Sequence, residues 1–198
     1  FSALKSAGED FTEKSLAEAF GKSKLYGDTI ELYNNHTPNT KALVFNVNVE
    51  ISKKMTAEFM AAGIKAAHLD SDVHPDNRKK ILADYERGEF AVLNNVGVAT
   101  TGTDIPSIET VIVRRATDSL SLWLQMCGRG GRTFNGRTLS SNPKDVFYIV
   151  DMGGNIERHG AWHWEREWSL DVNYVSKKAQ APIVVFCESC SALIPPTV

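Results

Sequence analysis

The feature that most constrains the fold is an alternation between short apolar segments and segments with a helical pattern. Five apolar segments are rich in Val, Ile and Leu and alternate little with polar residues, as strands buried on both faces do. These segments cover residues 41–47, 64–69, 90–96, 110–114 and 146–150. Helical patterns of about ten to fifteen residues separate strands in this way in α/β proteins. The alternation predicts an α/β fold in which helices cover both faces of a parallel sheet.

Proline and glycine mark the ends of the predicted helices. The helix over residues 49–62 is closed by Gly63, at the position where a left-handed backbone is common. The next helix begins at Pro75, a residue preorganised for a first helical turn, and ends at Gly88. Residues 119–127 form a third, largely apolar helical stretch before the last strand.

Changes of pattern divide the chain into four expected regions. They are a helical lead-in over 1–40, the α/β domain over 41–150, a packed extension over 151–180 and a small C-terminal appendage over 181–198. In the lead-in, apolar residues at helical spacing begin at Phe11 and continue to about residue 35, with a break near residues 21–24. This pattern predicts two helices ahead of the first strand.

Composition excludes several classes of protein. The 22 Lys and Arg residues are nearly balanced by 24 Asp and Glu, so any contact with nucleic acid must depend on a local cluster of charge. There is no apolar run of the ~18 residues that a membrane span needs, and the start has no signal-peptide pattern. Three cysteines are too few for a disulfide framework and predict a reducing, cytoplasmic compartment.

The strongest chemical signal is the segment QMCGRGGR at residues 125–132. It follows an apolar helix and is expected at the carboxyl edge of the sheet, where parallel α/β proteins bind ligands. Arg129 and Arg132 can both reach one phosphate group, which a guanidinium binds with two hydrogen bonds. Gln125 adds an uncharged donor and acceptor. The alternative is a solvated basic loop, but the whole pattern in this position favours phosphate binding.

A second segment, NNVGVATTGTDIP at residues 94–106, directly follows a predicted buried strand. Thr101 and Gly102 offer a hydroxyl and backbone N–H groups to a phosphate. Asp104 supplies a carboxylate that could accept hydrogen bonds from ribose hydroxyls or orient an arginine. The alternative is a simple Gly-Thr-Asp turn without a ligand.

Together the two segments resemble motifs V and VI of superfamily 2 helicases and translocases. The segment ALVFNVNV at 42–49 looks like motif IV, and DMGGN at 151–155 is also close to the family pattern. The resemblance covers about residues 11–170 and is to the second, C-terminal RecA-like domain, closest to prokaryotic and phage DEAD/DEAH-type members. It implies a RecA-like parallel sheet in a cytoplasmic protein of a prokaryotic or phage-infected cell.

The resemblance also implies roles for individual residues. Arg132 matches the arginine finger that stabilises charge on the γ-phosphate of ATP, and Arg129 matches its partner on the same phosphates. Gln125 matches the residue that links the phosphate to the other domain. Gly102 and Asp104 match the motif that meets the phosphate and ribose of the nucleotide.

ATP with Mg²⁺ is the implied cofactor, bound mainly by a preceding N-terminal RecA-like domain of the same protein. No acidic Asp-Glu motif for Mg²⁺ occurs in the chain. Residues 21–23 (GKS) resemble the end of a P-loop, but no predicted strand precedes them and Leu16 stands where the first glycine belongs. We therefore expect the chain to be inactive by itself.

Four residues are candidates for contact with nucleic acid, the second implied partner. Asn46 and Asn48, at the start of a helix, match positions that touch the nucleic-acid backbone, a contact that conveys no sequence information. Some relatives place a motif V threonine near residue 96, where this chain is apolar. The contact is therefore expected from Asn95 or Thr100 instead. DNA is favoured over RNA as the partner.

Two functions fit these motifs. The first is the C-terminal motor domain of an ATP-dependent nucleic-acid helicase or translocase, whose closure brings Arg132 to a nucleotide held by the other domain. The second is a helicase-like module that binds nucleic acid or nucleotide without turnover, such as a subunit of a restriction complex. An ordinary dinucleotide-binding domain is disfavoured because no G-x-G-x-x-G follows a predicted strand.

The last region contains Cys187-x-x-Cys190, which has the form of the first knuckle of a zinc ribbon. Its partner pair for Zn²⁺ would lie beyond residue 198. His159 and His163 are alternative ligands, although we expect them to pack with tryptophans. The nearby tryptophans are interpreted as core residues rather than as a platform for stacking bases.

Overall fold

The computed structural model describes residues 6–7, 10–12, 15–16, 29–98, 104–140, 144–166, 168, 185–186 and 193–194. At its centre lies a sheet of five parallel strands. The strands are β1 (Ala42–Asn46), β2 (Ala66–Leu69), β3 (Val92–Asn95), β4 (Thr110–Arg114) and β5 (Tyr148–Asp151). They lie side by side in the order β2-β3-β1-β4-β5, with Ala42 paired to both Val92 and Thr110. The prediction of a parallel α/β sheet is confirmed.

Helices precede, connect and follow the five strands. They are α1 (Thr29–His36), α2 (Val49–Ala61), α3 (Pro75–Arg87), α4 (Leu120–Gly128) and α5 (Asn155–His159). Asn48 caps α2 by accepting a hydrogen bond from the backbone N–H of Ile51 (2.9 Å). Gly63 and Gly88 follow α2 and α3 with a φ of 79°, the conformation predicted for these helix ends. No helix in the described part of the chain is long and apolar enough to cross a bilayer.

Each face of the sheet has its own apolar core, because successive residues of a strand point to opposite faces. Phe45 of β1 belongs to one cluster, with Tyr85 of α3 and Trp123 of α4. Val44, the residue before it, belongs to the other cluster, with Phe59 of α2. Burial on both faces explains why these strands are apolar throughout, and it leaves polar side chains to the ends of the strands.

The start of the chain differs from the prediction. Asp10–Phe11 form a short strand antiparallel to Ser6–Ala7, so the helix predicted to begin at Phe11 is wrong at that residue. Asp10 forms an ion pair with Arg115 (2.9 Å) and accepts a hydrogen bond from the backbone N–H of Asp118 (2.9 Å). Contacts with the loop after β4 therefore determine the conformation of this segment. The periodicity of the local sequence carries no information about such distant contacts. The second predicted lead-in helix corresponds to α1.

Hydrogen bonds within the extension after β5 order its first part. Asp151 accepts hydrogen bonds from the backbone N–H of Ile156 (2.7 Å) and the side chain of Asn155 (2.8 Å), at the start of α5. Arg166 donates to four backbone carbonyls within residues 159–164. These hydrogen bonds hold the backbone of the extension in one conformation as far as Arg166.

The zinc hypothesis stays a prediction. Cys187 and Cys190 lie outside the described residues, in the sequence between two short antiparallel segments, Val185–Phe186 and Leu193–Ile194. His159, an alternative ligand, bonds through Nε2 to a backbone carbonyl of the loop after β4 (2.8 Å). Within the described ranges, no group of three or more His, Cys, Asp or Glu side chains could hold a metal ion.

Candidate functional site

The arginine segment, residues 125–132, lies at the end of α4 and beside the beginning of β4 and β5. A connection between neighbouring parallel strands must return to the opposite edge of the sheet, and α4 does so. A Cβ placed on Gly130 would lie 3.1 Å from Val111, near the start of β4, and 2.5 Å from Phe147, just before β5. The expectation that this segment lies at the carboxyl edge is therefore wrong.

Arg132 forms an ion pair with Asp104. The Arg132 side chain is 36% exposed and that of Asp104 is 75% exposed, so the pair is open to solvent. The loop from β3 to β4 thus brings the carboxylate of one sequence motif to the guanidinium of the other. This contact fits the expectation that Asp104 orients an arginine, and the expected contact with ribose hydroxyls stays a prediction.

Arg129 is largely buried, with 9% of its surface exposed. Its backbone N–H donates to the carbonyl of Met126 (3.2 Å) and so completes the last turn of α4. Burial, and after it the charge of Arg132, lowers the pKa of the Arg129 guanidinium, with Asp104 acting in the opposite direction. A guanidinium remains charged at neutral pH despite such a shift. Two neighbouring cations of this kind favour a polyanion between them.

Two glycines let the arginine segment lie close to an aromatic pair. A Cβ on Gly131 would lie 2.7 Å from the ring of Trp162. Trp162 in turn packs edge-to-face on Phe147, with ring centroids 5.3 Å apart. The interpretation of the tryptophans as packing residues fits Trp162, whereas Trp168 is 73% exposed.

Lys144 is a residue of this region that the sequence analysis missed. Its Nζ donates hydrogen bonds to the backbone carbonyls of Arg132 (2.9 Å), Pro106 (3.1 Å) and Gly130. Burial lowers the pKa of Lys144 to about 8, an effect that Glu109 opposes and Arg132 adds to. A single lysine before a strand gives no local pattern by which it could have been found.

Glu109, just before β4, is a second residue that was missed. It is 1% exposed, and its carboxylate accepts hydrogen bonds from the loop that follows the arginine segment and from the residue just before β1. The donors are Thr138 Oγ1 (2.6 Å), the backbone N–H groups of Leu139 and Ser140 (3.1 Å each), Ser140 Oγ and the backbone N–H of Lys41 (2.9 Å). Burial alone would raise the pKa of Glu109, but hydrogen bonds from Ser140, Thr138 and Lys41 more than offset it, and the pKa is lowered.

The candidate nucleic-acid residues lie at the other, carboxyl edge of the sheet. Asn46 is 1% exposed, donates to Asn94 Oδ1 (3.2 Å) and accepts from Arg114 (3.0 Å). Asn95 is fully buried and donates to the backbone carbonyl of Val44 (2.8 Å). Asn46 and Asn95 are therefore enclosed by other residues, and this structure does not present them for the direct contact with a nucleic-acid backbone that was predicted.

The remaining predicted residues divide between the two edges. Asn48 is partly exposed at the start of α2, on the carboxyl edge. Gln125 is exposed on α4, and its amide donates to Ser121 Oγ (3.2 Å). Thr100, Thr101 and Gly102 lie outside the described residues, so their roles stay predictions.

The class of protein follows from this fold and these motifs. A family model described as the helicase conserved C-terminal domain matches residues 24–134, more than half of the chain. The chain therefore belongs to the family of helicase conserved C-terminal domains, and the RecA-like fold of the second helicase domain is confirmed.

Individual relatives are similar over different shares of their length. A 51.5 kDa protein of a Lactococcus phage (isolate 7-9) is 32% identical over 200 residues, which cover 98% of this chain and 42% of that protein. The Saccharomyces cerevisiae protein named "Putative ATP-dependent helicase IRC3" is 30% identical over 155 residues, 76% of this chain and 21% of that protein. The chain thus spans less than half the length of these relatives.

Solved structures show the same fold. The C-terminal domain of the DEAD-box protein Dbp5 superposes with a TM-score of 0.50 at 18% identity, over 62% of this chain and 66% of that one. At this identity the likeness concerns the arrangement of strands and helices and not the details of a site.

Proposed function

We propose that this chain is the second motor domain of an ATP-dependent nucleic-acid helicase or translocase, and that it supplies Arg132 to ATP bound by a preceding RecA-like domain. The observation that supports this most is the pairing of a buried guanidinium, Arg129, with a partly exposed one, Arg132, three residues later. The buried arginine adds a second positive charge beside the proposed phosphate site. The exposed arginine can reach a nucleotide presented by another domain.

The chemistry requires neutralisation of charge rather than a nucleophile from this chain. A phosphoryl group in transfer spreads negative charge over its oxygens, and an arginine finger contributes about 10³–10⁵ in rate. When the two domains close, Arg132 would break its ion pair with Asp104 and bind the γ-phosphate instead. Arg129 would add its positive charge to the stabilisation of the same phosphates. ATP with Mg²⁺, when bound, would supply the phosphoryl group, and residues of the other domain would hold the metal ion and activate water.

Nucleic acid, DNA in preference to RNA, is proposed to bind at the carboxyl edge of the sheet. Asn48 and Thr100 are the proposed contacts there, with the buried Asn46 supporting the strand ends beneath them. The proposed ATP side and the proposed nucleic-acid side are thus different edges of one rigid sheet. Closure on ATP would therefore move the nucleic-acid contacts as a unit. The cytoplasm of a prokaryotic or phage-infected cell is the setting expected for such a protein.

The test uses the intact protein to which we propose this domain belongs. Nucleic-acid-stimulated ATP hydrolysis is measured for the wild type, Arg132→Ala and Arg132→Lys, with single-stranded DNA and with RNA. We expect Arg132→Ala to lower kcat by about 10³ or more, with an unchanged melting temperature. Arg137→Ala is the matched control, because Arg137 is an exposed arginine of the same loop.

Two results would contradict the proposal in different ways. Near-normal turnover by a folded Arg132→Ala variant would exclude the arginine-finger role. Tight nucleic-acid binding by the wild type without any ATP hydrolysis would instead favour a binding module without turnover. A larger stimulation by RNA than by DNA would reverse the proposed preference of partner.

A further inference from the structure

Lys144 lies between the two segments that form the candidate phosphate site. Two of its three carbonyl partners, on Gly130 and Arg132, belong to the arginine segment. The third, on Pro106, belongs to the loop that presents Asp104. One ammonium group therefore joins the backbones that present the two members of the Arg132–Asp104 ion pair.

The number of hydrogen bonds matches the chemistry of the side chain. An ammonium group has three N–H donors and no acceptor, and Nζ of Lys144 has three carbonyl partners. Residues 131–135 have no regular secondary structure, so their backbone groups need partners from elsewhere. Arg132 is held at its own carbonyl in this way, which fixes the point of the backbone from which its side chain extends to Asp104.

This arrangement has an electrostatic cost. Burial and the neighbouring charge of Arg132 both disfavour the ammonium form of Lys144. An apolar side chain would fill the same space without that desolvation cost. The advantage of a lysine here is therefore the fixed geometry that three hydrogen bonds impose on the arginine segment.

We propose that Lys144 is a positioning residue for the arginine finger, which aligns Arg132 by holding the arginine segment against the Asp104 loop. The inference rests on the proposed function, in which Arg132 acts on ATP. Misplacement of a catalytic group by about 1 Å can cost roughly 10²-fold in rate. Loss of Lys144 should therefore lower kcat, while the KM for ATP, set mainly by the other domain, changes little.

The first experiment compares Lys144→Met with the wild type in steady-state, nucleic-acid-stimulated ATP hydrolysis by the intact protein. Methionine keeps a side chain of similar shape and removes all three donors. We expect a loss in kcat of about 10–100-fold with a KM for ATP within about threefold. Lys79→Met is the matched control, because Lys79 is an exposed lysine on α3. A folded Lys144→Met variant with kcat within twofold of the wild type would overturn the inference.

The second experiment asks whether Lys144 acts through Arg132. Arg132→Lys retains a cation and gives a background in which a residual rate can be measured. If Lys144 acts by placing Arg132, Lys144→Met costs a smaller factor in that background than in the wild type. Equal factors in both backgrounds would show independent action and overturn the inference. Should Lys144→Met lower the melting temperature, Lys144→Arg keeps a cation with several N–H donors and no acceptor, and its kcat must lie between those of wild type and Lys144→Met.

The two levels of proposal fail in different ways. If Arg132→Ala turns over like the wild type, the proposed function fails whatever Lys144 does. If Arg132→Ala loses turnover and Lys144→Met does not, the proposed function stands and only the positioning role of Lys144 fails.

Discussion

Arg132 pairs with Asp104 across 28 residues of sequence, and this ion pair joins the two motifs that the sequence analysis singled out. Both side chains are substantially exposed, so the pair adds little to the stability of the fold. The ion pair instead positions the Arg132 side chain, because Asp104 holds the guanidinium on the side of the domain where we propose that phosphate binds. The neighbouring buried contacts of Glu109, by contrast, are expected to matter for stability.

Asp104→Asn should change the free energy of unfolding of this chain by less than about 1 kcal/mol, because exposed ion pairs contribute little. Urea denaturation monitored by circular dichroism measures this change. The difference should shrink further at about 1 M salt, where exposed charges are screened. Asp72→Asn, at another exposed carboxylate, serves as the control. A loss above about 2 kcal/mol would contradict a solvent-open pair.

Glu109→Gln should destabilise the chain by about 2–4 kcal/mol. The amide NH₂ of glutamine is itself a donor, so it would face the N–H and O–H donors that now bond to one carboxylate oxygen and would leave them without an acceptor. Five hydrogen bonds reach the two oxygens of Glu109, two of them from the Thr138 and Ser140 hydroxyls. Urea denaturation at pH 7 measures the loss.

Glu89→Gln is the matched control for that substitution, since Glu89 is exposed and its contact with Arg87 is long (3.9 Å). Its effect should stay within about 0.5 kcal/mol of zero, as is usual for surface substitutions. Similar losses for the two variants would show that Glu109 does not organise the loop after the arginine segment.

The stabilising effect of Glu109 should depend on pH in a definite direction. Its pKa is lowered in the folded chain, so its stabilisation is present above the unfolded value of about 4.3 and is lost as pH falls through the folded value. The stability difference between wild type and Glu109→Gln should therefore be greatest near pH 7 and narrow below about pH 4. Unfolding free energies of both proteins, measured across pH 3–7, check this. A difference that widened on acidification would contradict the lowered pKa.

Much of the fold could be predicted from the sequence because it is determined locally. Continuous apolar strands indicated a sheet covered on both faces, and Gly63 and Gly88 indicated where α2 and α3 end. The strand at Phe11 could not be predicted, because it depends on a contact between Asp10 and Arg115 from a distant part of the chain. Helical periodicity describes what a segment can form, not which loop it meets.

The candidate site was predicted in its residue types and only partly in its geometry. The arginine segment was expected at the carboxyl edge because it comes soon after a strand in the sequence. That expectation did not take into account that α4 returns the chain to the opposite edge of the sheet. Asn46 was expected to be exposed, but the side chains of Asn94 and Arg114 enclose it. Lys144 and Glu109 have no local pattern, since each acts by bonding to loops that only the folded chain brings together.

Gly130→Ala should destabilise the chain by about 1–3 kcal/mol, the usual cost of overpacking. A Cβ there would lie 2.5 Å from Phe147 and 3.1 Å from Val111, inside the wall of the core. Gly128→Ala is the matched control two residues earlier, since its nearest neighbour would be Trp162 Nε1 at 4.0 Å. In α4 that alanine should be neutral or stabilise by up to about 1 kcal/mol, because glycine is a poor helix former. A loss of stability for Gly130→Ala without a loss for Gly128→Ala, in thermal or urea denaturation, would confirm the close approach at Gly130, and equal effects would contradict it.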